Sequence, residues 1–187
     1  TMPGGEDTFV AYGLGWANAS NTPFRGYKHD GYEGGISTPF IVHWPAGIEK
    51  KMKGGLAHTP SHLIDLMPTF VEAAGADYPT TFHDGQEIQP MEGVSLIPAL
   101  AGDEVNRESA IGFEHHGNLA LRDGQYKIVS AYRRDQPTKW ELYDMQKDRT
   151  ELHDLSNDLP EKKQELIEKW QAWADRVGVQ PWPIRRK

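Results

Sequence analysis

The chain contains no cysteine, which excludes disulfides and thiolate metal sites within it. Because exported bacterial proteins also do without cysteine, this absence leaves the compartment open. Clustered Lys and Arg are missing apart from Arg185-Arg186-Lys187, and the formal net charge is −7. A phosphate backbone demands concentrated cations, so nucleic acid is excluded as a partner class. No apolar run approaches the roughly 20 residues of a membrane span, and no signal-peptide pattern opens the sequence. It starts at Thr1 inside a glycine-rich segment, the start expected of a fragment or a processed product. What remains is an ordinary globular composition. At 187 residues, 37% hydrophobic and 25% charged, there is material for one domain or two small ones with a real core.

The most informative stretch runs over 16–45, with Lys28-His29-Asp30-Gly31-Tyr32-Glu33-Gly34-Gly35 at its centre. Glycines let backbone and ligand approach closely, and a lysine ammonium offers a point charge with three donors, suited to a tetrahedral oxyanion. Taken alone, the octapeptide is open to two readings, a surface turn with a solvated lysine or an oxyanion-binding loop. The aromatic residues around it, Tyr12, Trp16, Phe24 and Tyr27, are read as anchors of an irregular segment in preference to a pocket lining.

Along the chain, 1–38 shows no sustained period and reads as a long loop. The proline-flanked apolar run 39–44 reads as a strand covered on both faces, with His43 a packed core histidine. Residues 58–64 read as a second extended piece. Asp65 is expected to cap a helix over Leu66–Ala74, with Leu66, Met67, Phe70, Val71 and Ala74 on one face and Gly75 as the stop. That use of Asp65 is preferred to a metal pair with His62. A short helix is expected over 95–100. From 109 the pattern changes to short strands at 110–114, 119–122, 126–131 and 140–143, with Asp123-Gly124 as a hairpin turn. Asp158 is expected to cap a terminal helix over 159–177 with a stripe of Leu166, Trp170, Trp173 and Val177. The charged segment 103–108 marks the boundary between domains at 1–105 and 106–187.

Asn21-Thr22-Pro23-Phe24-Arg25-Gly26-Tyr27-Lys28, Tyr32-Glu33-Gly34-Gly35-Ile36-Ser37-Thr38-Pro39 and His43-Trp44-Pro45-Ala46-Gly47-Ile48 together resemble the C-terminal half of a type I sulfatase. This is the formylglycine-dependent, arylsulfatase-like group of the alkaline phosphatase superfamily. The resemblance continues through Leu63-Ile64-Asp65-Leu66-Met67-Pro68-Thr69, Gly93-Val94-Ser95-Leu96, the run 119–127, Glu141-Leu142-Tyr143-Asp144 and Asp148-Arg149-Thr150-Glu151, and so covers nearly the whole chain. It implies an α/β fold: the C-terminal part of a sulfatase-type α/β sandwich, followed by a small α+β domain with an antiparallel sheet and a terminal helix. It implies a sulfuric ester hydrolase as the parent protein, acting on a small-molecule or glycan sulfate ester.

Within that resemblance Lys28, five residues before Glu33, is the sulfate-contacting cation, and Glu33, Gly34 and Gly35 shape its loop. His115 and Asn118, at an expected hairpin turn, are candidates for substrate binding. The parent's Ca2+ or Mg2+ and its formylglycine are expected outside this chain, together with the N-terminal part of the catalytic domain, so no metal ligand is assigned here. The isolated chain is accordingly expected to be inactive. Asn21-x-Pro23-x-Arg25 is similar to the activation motif only superficially, since asparagine cannot be oxidised to formylglycine. A periplasmic or secreted location is favoured over a cytoplasmic one. Two alternatives stay open: a phosphodiesterase or phosphonate hydrolase of the same superfamily, and a non-catalytic module binding sulfated glycan through Lys28, the tryptophans and the His115 loop.

Overall fold

A computed structural model of the chain describes residues 5–7, 11 and 13–184. Tyr12, the tail Arg185-Arg186-Lys187 and parts of the expected loop at 1–4 and 8–10 lie outside the described residues. The described residues form helices α1 (Gly13–Ser20), α2 (Glu33–Ile36), α3 (Leu66–Ala74), α4 (Ile97–Ala101) and α5 (Pro160–Val177), and strands β1 (Ile111–His115), β2 (Asn118–Asp123), β3 (Tyr126–Ser130) and β4 (Glu141–Asp144). Contacts group the chain into two units, Thr1–Pro39 with Ser109–Lys187, and Phe40–Glu108. The expected boundary at 105 falls near one crossing between them. The other, at Pro39, has no periodic signal, because polar side chains and not an apolar stripe tie the glycine-rich segment to the sheet.

In the first unit the four strands form an antiparallel meander in the order β1-β2-β3-β4. Period-2 alternation divides its side chains between two faces. Leu121, Ile128 and Leu142 share one face and bury against Leu166, Trp170 and Ala174 of α5. Each fully buried aliphatic side chain there is worth about 1.5–3 kcal/mol. The helix is rotated slightly from its expected stripe. Ala174 lies in the core while Val177 is exposed, and Asp158 makes no cap bond, Leu159 occupying the N-cap.

Ala120, Val129 and Tyr143 share the other face and pack with Tyr32 and Met145. The glycine-rich segment thus covers the sheet side opposite α5. Lys127, also on that face, is fully buried. Its ammonium lies 2.9 Å from Glu33 Oε1 and 2.8 Å from Glu151 Oε1. Glu151 Oε2 accepts the Glu33 backbone N–H at 2.7 Å. Burial pushes both carboxyls up. For Glu33 the Lys127 ammonium, with Arg122 and Arg149 beyond it, outweighs burial and leaves its pKa below the usual value, whereas Glu151 stays above its own.

In the second unit Asp65 is buried, but it does not cap α3. Its carboxylate accepts the backbone N–H groups of His62 at 2.7 Å and Val94 at 3.0 Å and pairs with Arg107. Thr69 Oγ1 donates to the Asp65 carbonyl and accepts the Leu96 N–H. Residues 58–62 are irregular and Leu63–Asp65 is a 3-10 turn, not an extended piece. Three further expectations are corrected. Residues 39–44 form no strand, since no neighbouring backbone among the described residues offers them a ladder, and Ile41 is 88% exposed. His43 is exposed in consequence. Helix α3 buries Pro68 and Thr69 and leaves Met67 and Phe70 open, the reverse of the expected apolar face, because the Asp65–Thr69–Leu96 bonds fix its rotation. Finally, 1–38 is not all loop, as α1 and α2 lie within it.

Lys127→Met removes the one cation shared by two buried carboxylates and is expected to destabilise the chain by about 3–5 kcal/mol at neutral pH in denaturant unfolding. The sign of its pH response follows. In the native protein the depressed Glu33 adds stability above the ordinary glutamate value of 4.5, lost as pH falls through the lower folded pKa. Without Lys127, burial raises both carboxyls, so stability is lost as pH rises through those raised values. The variant's deficit should therefore shrink on acidification toward 4.5; a deficit independent of pH would contradict the ion-pair assignment.

Candidate functional site

Lys28 stands at the tip of a tight turn. The Asp30 N–H donates to the Tyr27 carbonyl, and Asp30 Oδ2 accepts the Tyr27 N–H, both at 3.0 Å. Lys28 and His29 therefore project from a closed loop, and the Lys28 side chain is exposed with no ion pair among the described residues. The turn is anchored on both sides. Ahead of it, Arg25 donates to Tyr143 Oη at 3.0 Å and to the Glu151 carbonyl at 3.3 Å, while its guanidinium lies 4.1 Å from the Tyr32 ring centroid. Behind it, Tyr32 donates to Glu141 Oε2 at 2.6 Å, Tyr143 donates to the same oxygen at 2.8 Å, and Glu33 joins the Lys127 pair. Burial and then the Glu141 bond push both phenols well above their ordinary range, so each stays a neutral donor.

The glycines explain how so short a segment closes on itself. A Cβ at Gly34 would stand 2.3 Å from the Gly26 carbonyl oxygen, and one at Gly35 would stand 2.2 Å from that of Asp30. Both contacts are to backbone, which cannot swing aside. Glu33 also shapes the loop, through an ion pair that the resemblance did not specify.

His115 ends β1 and Asn118 opens β2, directly paired across the hairpin. Asn118 is committed to that turn, its Nδ2 donating to the His115 carbonyl at 3.1 Å and its Oδ1 accepting the Tyr132 N–H at 3.0 Å. His115 meets the Lys28 turn directly: His29 Nδ1 is hydrogen-bonded to His115 Nε2, and the two rings stack with centroids 4.5 Å apart. His116 stacks on His115 at 4.2 Å and on Trp182 at 4.6 Å. Desolvation, followed by the charges of His115, His116 and Lys28, holds the His29 imidazole below its ordinary pKa. The structure thus brings Lys28 and His115 into one surface region, with Asn118 as support beneath. His116 lies in the candidate segment Glu114-His115-His116-Gly117-Asn118 and His29 in the central octapeptide, but the sequence assigned neither a role of its own and did not bring the two together.

A hard-cation site is not built from these residues. Ca2+ and Mg2+ take oxygen ligands, whereas the one group of three or more candidate ligands among the described residues is the three imidazoles.

Residues 27–175 match the family model described as N-sulphoglucosamine sulphohydrolase, C-terminal. The chain belongs to this sulfatase family. It is 32% identical over 178 residues to an uncharacterized sulfatase of Schizosaccharomyces pombe, covering 94% of this chain and 32% of that protein. It is 38% identical over 94 residues to an arylsulfatase of Klebsiella aerogenes, covering 50% of this chain and 19% of that one. Its fold is similar to that of Ps i-CgsB, with TM-score 0.61 at 24% identity, over 82% of this chain and 32% of that chain. This sulfatase chain therefore spans about a third of the length of its yeast relative and of the solved structure.

Gly35→Ala is expected to cost about 1–3 kcal/mol by forcing the 27–35 loop open. In a chain of this size that lowers Tm by about 2–4 °C per kcal/mol. An unchanged Tm would mean that the loop does not close as described.

Proposed function

We propose that the longer protein of which this sequence forms part hydrolyses a sulfate monoester, and that Lys28 supplies the cation that contacts the sulfate group. The observation carrying this reading is the placement of Lys28: an exposed ammonium on a turn whose flanks are held, Arg25 and Tyr32 in a part-buried polar network and Glu33 in a buried ion pair. A preorganised cation stabilises charge as it develops on transferring oxygens without reorganising at the moment of reaction. Membership of the sulfatase family supports sulfate over other oxyanions.

His115, held beside the same turn, is proposed to face the alcohol portion of the substrate, with Asn118 keeping its hairpin in register. The relatives include an arylsulfatase, a steryl-sulfatase and an N-acetylgalactosamine-6-sulfatase, so aromatic, steryl and sugar alcohols all stand as candidates. The nucleophile and the hard cation are assigned to residues outside this sequence, in keeping with its share of the relatives' length, and the isolated chain is proposed to be inactive. The open apolar surface of the second unit, including Phe40, Ile41, Met67 and Phe70, is proposed to be covered by that same portion. Among the described residues no helix is long and apolar enough to cross a membrane.

The test is turnover of a chromogenic aryl sulfate by the longer gene product, with the phosphate ester of the same phenol as comparison. Lys28→Ala should lower kcat/KM by about 2–4 kcal/mol of transition-state binding, roughly 30- to 1,000-fold. Wild-type turnover by that variant would refute the role of Lys28; preference for the phosphate ester would move the reading to a phosphoester hydrolase.

A further inference from the structure

We propose that His29, His115 and His116 form a binding site for a divalent late-transition-metal ion of the zinc class, joining the Lys28 turn to the β1–β2 hairpin. One nitrogen from each residue lies within 4.8 Å of the others. Two segments 86 residues apart in sequence supply them, so the convergence is a product of the fold and not of a local histidine run. Imidazole nitrogen suits zinc, nickel and copper, in contrast to the oxygen sets preferred by calcium and magnesium. Three protein ligands leave a fourth position for water or an anion.

The surroundings fit this use. All three residues are exposed; the stack and its His29–His115 hydrogen bond would open by side-chain rotation to direct three lone pairs at one ion. Trp182 stacks on the outer face of His116 and limits how far that ring can drift. His29 and His116 both occupy left-handed backbone positions, with φ +83° and +51°, conformations that few non-glycine residues adopt. Such positions are retained where their surroundings hold them, here to present two imidazoles to the same space. A bound ion would close the loop between the two segments and set a second positive charge beside Lys28.

The readout is metal bound, not ester cleaved, so the result stands apart from the hydrolase reading. The 187-residue chain, stripped with chelator, is titrated with Zn2+ calorimetrically and with Co2+ by visible absorption, with Ca2+ and Mg2+ as controls. One equivalent of Zn2+ should saturate before His43, His58, His62, His83 and His153 are engaged, and Zn2+ should raise the Tm of the chain while Ca2+ does not. His29→Asn and His116→Asn remove a ligand while keeping a residue that tolerates positive φ. Each should weaken Zn2+ binding at least about tenfold and abolish the Tm rise, with the metal-free Tm retained. His153→Ala should change neither. Absence of stoichiometric binding, an equal response to Ca2+, or undiminished affinity in both asparagine variants would overturn the site.

Discussion

One buried ammonium holds the first unit together at its centre. Lys127 lies within β3, reaches no solvent, and pairs with carboxylates from two other segments of the chain, at Glu33 and Glu151. Replacing such a triad wholesale with apolar side chains is often neutral for stability, whereas removing one member strands the others in low dielectric. Its contribution is therefore better described as placement than as net energy. Glu151 is held at φ +58°, a left-handed conformation that costs a glutamate backbone energy, and it both pairs with Lys127 and receives the Glu33 N–H. Two carboxylates facing one ammonium divide their response: Glu33, with Arg149 3.7 Å away, remains the more acidic, and Glu151 the less. The same geometry fixes where the chain must run between Tyr32 and Gly35.

Much of the sheet was legible because it obeys simple periods. Alternation picked out all four strands within one or two residues, Asp123-Gly124 marked the β2–β3 turn, and the Leu166 and Trp170 spacing identified the core side of α5. The same alternation rule conceals Lys127. It shares a face with Val129, and a lysine between Tyr126 and Ile128 reads as the solvent side of a half-buried strand. Only the covering of that face by a segment without periodicity makes it interior. The histidine cluster was hidden for a related reason. Sequence spacing shows neighbours within one element, and His29 and His115 become neighbours only through the meander and the 27–30 turn.

The second unit illustrates the opposite failure. Its apolar runs are easy to see, and they mislead about burial within this chain. Phe40, Ile41, Met67 and Phe70 have the composition of core residues, yet the interior of this unit is small, its buried residues being Asp65, Pro68, Thr69, Leu96 and Ala99 among those described. Hydrophobicity indicates that a residue needs a partner without indicating which part of a protein provides it. Here polar bonds decide how α3 is rotated. Asp65, buried but surrounded by Arg107 and two backbone N–H groups, is held below the usual carboxylate range despite desolvation, which keeps it ionised and able to hold all three partners.

The division of labour at the Lys28 turn follows from these constraints. The role proposed for Lys28 sets two requirements, because a cation that tracks charge through a transition state must be solvent-accessible enough to meet substrate and carried on a backbone rigid enough not to follow it. An isolated lysine on a surface loop satisfies only the first requirement. The Arg25–Tyr32–Glu141–Tyr143 network and the Glu33–Lys127 pair fix the backbone of the turn on one side, and the contact between His29 and His115 fixes it on another. Neither support touches the ammonium itself, so its donors remain available to an oxyanion. The two glycines serve the same end from within the segment: a Cβ at Gly34 would strike the Arg25 and Gly26 carbonyls and one at Gly35 those of Tyr27 and Asp30, so only glycine lets the chain double back closely enough for the turn to be held.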